Sequence, residues 1–310
     1  MANVHRTAAF TTALWAATLL FVCGLTCGQG RPKPTHDKAF WQAVTANKYQ
    51  VPAGETPFAL AQELSGYLAS PDPELRDDLA YSVLTVWIVR QRRFSPEQLV
   101  QLSDEWSANL REGIGQSGTD GVFKRSFSAL CLSSLAEREL RSPFLGQARY
   151  RKLLAATLEY LRDEKDLRGF DGAKGWIHAT AHAADLLAAL ASNSLFTKQD
   201  QPAALQAIAQ RLATANEVFT YGEQDRLANV VAVIASRQDF DLDGFQSWLA
   251  NLDAAEQSVW KDSPPKLPAL ARFENGTYML RAIVPQLLQK QSSPAALEAQ
   301  RLVLQSLQRR

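Results

Sequence analysis

Proline follows a potential helix-capping residue at Thr56-Pro57, Asp72-Pro73, Ser95-Pro96 and Ser293-Pro294. Proline suits the first helical turn, where its missing N–H would lack a partner anyway, and the residue before it supplies a capping oxygen. Glycines mark other breaks, at Gly113, Gly115, Gly169, Gly222 and Gly244. Between these marks the apolar residues keep helical spacing. In "SPEQLVQLSDEWSANL", for example, Leu99, Leu102 and Trp106 form one stripe. No alternating run of β-branched residues bounded by turns occurs, and "VVAVIAS" continues the helical stripe of "QDRLANVVAVIASR". The pattern predicts an all-α chain.

Helix starts are expected near residues 37, 57, 73, 96, 121, 146, 172, 202, 223, 244, 268 and 294. That beat suits antiparallel helix pairs stacked side by side, an irregular α-solenoid of HEAT or armadillo type without a fixed repeat signature. The first two helices read as a cap, and "SPPKLP" at Ser263–Pro268 as the break before a terminal helical unit. Hydrophobic residues make up 46% of the 310, enough for a substantial core. A single helical-repeat domain over 29–310 is the expectation.

The first 28 residues differ from the rest. A short basic start, Met1 to Arg6, precedes Thr7 to Thr26, which contain no charge. Small residues at Thr26 and Gly28 fit a signal peptide ending before Gln29. An uncleaved membrane anchor or lipidation of Cys27 are the alternatives. All three predict export to the periplasm or cell envelope, with membrane contact only through this segment. Cys23 and Cys27 belong to it, so Cys131 would remain alone and unable to form an intramolecular disulfide. Lys and Arg number 33 against 32 Asp and Glu, which gives no basic footprint for nucleic acid.

The stretch with most chemical content is "RGFDGAKGWIHATAHAADLL", from Arg168 to Leu187. A helix beginning after Asp171-Gly172 would turn about 100° per residue. His182 would then lie about 40° from His178, Asp185 about 20° the other way and Lys174 about 40° on that side, all on one stripe. Trp176 would lie about 160° round and pack behind it. The rest of the helix is alanine and leucine, so the stripe would be central and in need of partners. Glu223 and Arg226 in "YGEQDRLANVV", and Asn275 and Arg281 in "ENGTYMLRAIV", could supply them. Helices starting near 172, 223 and 268 would share a face in a stacked array.

These three blocks resemble the bacterial family known as domain of unknown function 2785. The shared positions are Arg168-Gly169, Lys174-Gly175-Trp176, His178, His182, Asp185, Glu223, Asp225-Arg226-Leu227, Asn275 and Leu280-Arg281. Ala183 and Ala282-Ile283 depart from it, where the family more often has a glycine and an aromatic. The resemblance implies a helical-repeat fold and no established activity.

Three readings of the cluster stay open. His178 and His182, with Asp185 or Glu223, could hold a divalent metal, although Ala179 stands where H-E-x-x-H needs its glutamate. Alternatively, Lys174, Arg226 and Arg281 could bind a small anionic ligand while His178, oriented by Asp185, moves protons in a hydrolase-like site. Or Arg168, Asp185, Glu223 and the histidines could form a buried network that fixes helix stacking, with function residing in binding an envelope protein or cell-wall component. Phe40-Trp41, Trp87, Trp106, Trp248 and Trp260 recur at core spacing, and a carbohydrate-stacking platform is the alternative for them.

Overall fold

The computed structural model describes residues 36–289 and 294–310. The leader read from residues 1–28 and the Ser293 cap lie outside the described residues. No described helix is long and apolar enough to cross a membrane.

The chain is all-α. Among the described residues the helices are α1 (Lys38–Ala46), α2 (Pro57–Tyr67), a continuous α3, α4 (Pro96–Asn109), α5 (Gly121–Arg141), α6 (Gly146–Asp163), α7 (Ala179–Ala191), α8 (Gln201–Thr214), α9 (Glu223–Ala235), α10 (Leu242–Gln257), α11 (Leu267–Leu288) and α12 (Pro294–Gln308). Within α3, wide π turns over Glu74–Tyr81 and Val86–Arg90 flank an ordinary section at Ser82–Thr85. The proline-linked caps act as expected. Thr56 accepts from the Ala59 amide, and Asp72 from the amides of Glu74 and Leu75. Ser95 and Gln98 exchange bonds in a capping box.

Helix α7 packs between α5 and α9, and α9 packs on α11. Helices α6, α8, α10 and α12 contact one another in turn. Within each of two series, α5, α7, α9, α11 and α6, α8, α10, α12, successive helices thus contact one another. The alanines of α7, buried at Ala179, Ala181, Ala183, Ala184 and Ala188, let α5 and α9 approach its backbone. One continuous core runs from Trp41 to Val303. Trp41, Trp87, Trp106 and Trp248 belong to it and offer no exposed platform, whereas Trp260 is exposed. Cys131 is buried, and burial pushes its thiol well above the ordinary value, so it behaves as a small apolar residue.

The main departure from expectation lies at residues 170–178. A helix from 172 is absent; instead β1 (Phe170–Asp171) and β2 (Gly175–Trp176) form a short antiparallel hairpin, and α7 starts only at Ala179. Local side-chain chemistry explains this. The Asp171 carboxylate accepts from the amides of Ala173 and Lys174, an Asx turn that competes with helix. Gly175 takes φ +73, which a glycine adopts without penalty, and a Cβ there would come within 2.8 Å of Pro73. The expected stripe therefore loses Lys174. Trp176 turns outward instead of packing behind it.

Candidate functional site

His178 is the hinge between hairpin and helix. It has φ 48 and ψ 31, in the left-handed region that a side chain with a Cβ rarely occupies. Its carbonyl accepts the first intrahelical bond of α7, from the His182 amide at 2.9 Å. Strain of this kind persists only where the surroundings overdetermine it, and it concentrates at ligand sites. Here the Trp176 ring stacks on the imidazole, with centroids 4.3 Å apart at 27°. From the other side, the Tyr221 carbonyl accepts from His178 Nε2 at 3.1 Å. Burial lowers the His178 pKa to about 4, with Arg226 adding to the effect against the Tyr221 bond, so the ring is neutral near pH 7.

His182 is held one turn further on. The Ser126 hydroxyl donates its proton to the Ile177 carbonyl, so its oxygen must accept from His182 Nδ1, 2.8 Å away. That fixes the tautomer and leaves Nε2 as an acceptor. Burial, then the neighbouring His178 and Arg226, holds this imidazole well below its ordinary pKa. The two rings meet edge to face at 5.7 Å.

Both histidines line a cavity of about 610 Å³ walled by α3, α5, α7 and α9. Asp185 and Arg226 close one side through an ion pair at 2.5 Å. Burial nevertheless raises the Asp185 pKa against the pull of Arg226. The opposite wall comes from the π-turn section of α3, through Asp77, Asp78 and Tyr81. Arg76 Nε stands 2.7 Å from Asp77 Oδ1, but neither atom gains a directed hydrogen bond. Burial thus outweighs Arg76 and pushes the Asp77 carboxyl up to about 6.

Arg76 holds this arrangement together. It is buried beneath the faces of Phe123 and Phe127, at 4.1 and 4.6 Å from their centroids. Its guanidinium donates to the carbonyls of Ser70, Lys174 and Trp176. No motif in the sequence singles out Arg76. The missed signal is register: Arg76 occupies the apolar stripe continued by Leu79, Ala80, Val83 and Trp87, all buried.

Several expected site residues do not converge. Lys174 pairs with Asp120 at 2.6 Å. Arg281 is exposed, with its guanidinium 5.8 Å from the Tyr278 ring centroid. Together with the committed pair Arg226–Asp185, this leaves no cluster of cations for an anionic ligand. Asn275 is buried and splints the 217–219 segment, accepting from the Phe219 amide and donating to the Glu217 carbonyl. Glu223 accepts from the Tyr221 amide, and its carboxylate sits 4.0 Å from His178 Nε2. Glu223 thus positions Tyr221 and Asn275 the 217–219 segment before it, and neither lines the cavity.

The metal set does not assemble either. Asp185 turns to Arg226, His182 Nδ1 to Ser126 and His178 Nε2 to a carbonyl. Among the described residues no three His, Cys, Asp or Glu side chains converge as ligands. Nor do Arg168, Asp185, Glu223 and the histidines form one network, since Arg168 turns to Asp166 and the Thr119 carbonyl. The buried charge network lies elsewhere, where Arg125 grips Glu164 at 2.6 and 3.1 Å and Arg211 donates to the Leu161 and Glu164 carbonyls.

No curated protein and no solved structure matches the chain. A family described as "Protein of unknown function (DUF2785)" matches residues 110–284, more than half of the 310. The match takes in the hairpin, α7 and α9, while the α3 wall with Arg76 and Asp77 lies before it. By this match the chain belongs to the DUF2785 family.

Proposed function

We propose that this chain is an exported binding module of the cell envelope whose ligand seat is the cavity at the His178 hinge. The uncharged leader segment supports export. The observation that carries the binding reading is the strained, neutral His178, clamped between Trp176 and the Tyr221 carbonyl at the wall of an open cavity. A buried arginine, a splinting asparagine and a capping glutamate all serve to place the hairpin and the Tyr221 loop around it. A volume of about 610 Å³ falls within the range of small-molecule sites. The test is a fragment library screened by thermal shift on the full chain. Stabilising hits should lose their effect in Trp176→Ala. Hits unaffected by that variant, or none at all, would overturn the reading.

A second reading, hydrolysis in the same cavity, rests on Asp77. Its raised carboxyl carries a proton in part of the population near neutral pH, as a general acid requires. Turnover of chromogenic ester and glycoside substrates, lost in Asp77→Asn with folding retained, would support it. Absence of turnover across the panel would sink it.

A further inference from the structure

We infer that the seat takes a pyranose ring of an oligosaccharide, stacked on Trp176 with its hydroxyls turned to the polar walls; this rests on the cavity being a ligand seat. Three aromatic side chains stay exposed at its mouth: Phe170 at 42%, Trp176 at 42% and Tyr221 at 45%. They form one patch, with Phe170 4.9 Å and Tyr221 6.2 Å from Trp176 by ring centroid. Such a patch is costly in water and marks a place that something covers. One face of Trp176 already lies on His178, so its exposure belongs to the opposite face and the rim.

The geometry selects among occupants. The Phe170 and Tyr221 rings stand at 69° and 82° to that of Trp176. Anionic ligands meet Asp77, Asp78 and Asp185, with Arg226 already paired. A neutral ring with one apolar face and a rim of hydroxyls fits what is left. Its C–H face covers indole. Its hydroxyls find acceptors at Asp185, Asp78 and His182 Nε2, and donors at Arg226 and Tyr81, whose phenol burial keeps protonated. Sugar-binding sites need this mixture of donors and acceptors more than net charge.

Isothermal titration of the full chain with cellotetraose and the N-acetylglucosamine tetramer, beside glucose and N-acetylglucosamine, tests the inference. At least one tetrasaccharide should bind saturably. Trp176→Ala should weaken it by about tenfold or more, the loss of one aromatic anchor, in a variant that still melts cooperatively. Trp176→Phe should keep affinity within about threefold. Monosaccharides binding much more weakly than tetramers would assign the seat to a polymer chain, and equal affinities to free sugar. Sugar binding that Trp176→Ala leaves intact would overturn the placement. If no sugar binds while fragment hits still depend on Trp176, the sugar inference fails and the seat stands. If no ligand of any kind depends on Trp176, both fail.

Discussion

The guanidinium of Arg76, on α3, lies 3.1 Å from the carbonyl oxygen of Trp176, one hundred residues further along the chain. The same Nη2 also donates to the Lys174 carbonyl at 2.7 Å. A buried cation thus latches a surface hairpin onto a helix outside the family match. Arg76→Met keeps the volume but leaves the Ser70, Lys174 and Trp176 carbonyls without their donor. A loss of about 3 kcal/mol or more in unfolding free energy is expected. Denaturant melts of the variant and wild type measure it, and a difference below about 0.5 kcal/mol would refute the latch.

The hairpin should be equally sensitive at one glycine and indifferent at another. Gly175 combines φ +73 with a Cβ position 2.8 Å from Pro73, whereas nothing lies within 4 Å of a Cβ at Gly172. Gly175→Ala should cost about 1–3 kcal/mol, and Gly172→Ala less than about 0.5. Equal effects in thermal melts would show that the hairpin is not seated on Pro73.

The histidines make stability pH-dependent in a definite direction. His178 titrates near 4 when folded, against an ordinary value of 6.5. Between those values the unfolded chain binds a proton that the folded chain refuses, so this group lowers stability as pH falls from about 6.5 to 4. Above that window it has no effect, and below it the loss is complete, about 3 kcal/mol in all. His182, also lowered, acts in the same sense. Proton NMR should find neither ring charged at pH 6. An imidazole of either residue titrating near 6.5 would contradict the clamped geometry.

Asp77 works against them. Its folded value of about 6 stands above the ordinary 3.8, so the folded chain binds the proton more tightly and this group raises stability as pH falls from 6 to 3.8. Asp77→Asn mimics the protonated form. It should be more stable than wild type by about 1–3 kcal/mol at pH 7.5, and the gap should close by pH 4. A gap independent of pH would assign the effect to packing.

The helices were legible because their signals are local. Caps at Thr56, Asp72 and Ser95, and apolar stripes such as Leu99–Leu102–Trp106, act within a few residues, and the observed starts fall within two or three residues of those expected everywhere but at 172. The exception came from reading the alanines after His178 back through Lys174-Gly175-Trp176. A carboxylate that captures two amides, and a glycine at positive φ, override helix propensity there. Of the expected site, His178, His182, Asp185 and Arg226 do share the cavity. Arg281 turns instead to Tyr278, three residues before it on α11, and Lys174 leaves the cavity because its partner, Asp120, becomes a neighbour only through the fold. The α3 wall was invisible for the same reason. No spacing in the sequence ties Asp77 to His178.

Fluorine NMR on the full chain carrying 5-fluorotryptophan puts the seat to its most direct test. The seven tryptophans give seven probes, and Trp176→Phe assigns the one at issue. The expected result is that titration with a bound tetrasaccharide or fragment hit moves the Trp176 resonance most, while the buried Trp41, Trp87 and Trp106 stay in place. A ligand that shifts Trp248, which lines a separate cavity of about 320 Å³ between α8, α10 and α11, and leaves Trp176 still would place binding elsewhere and contradict the account.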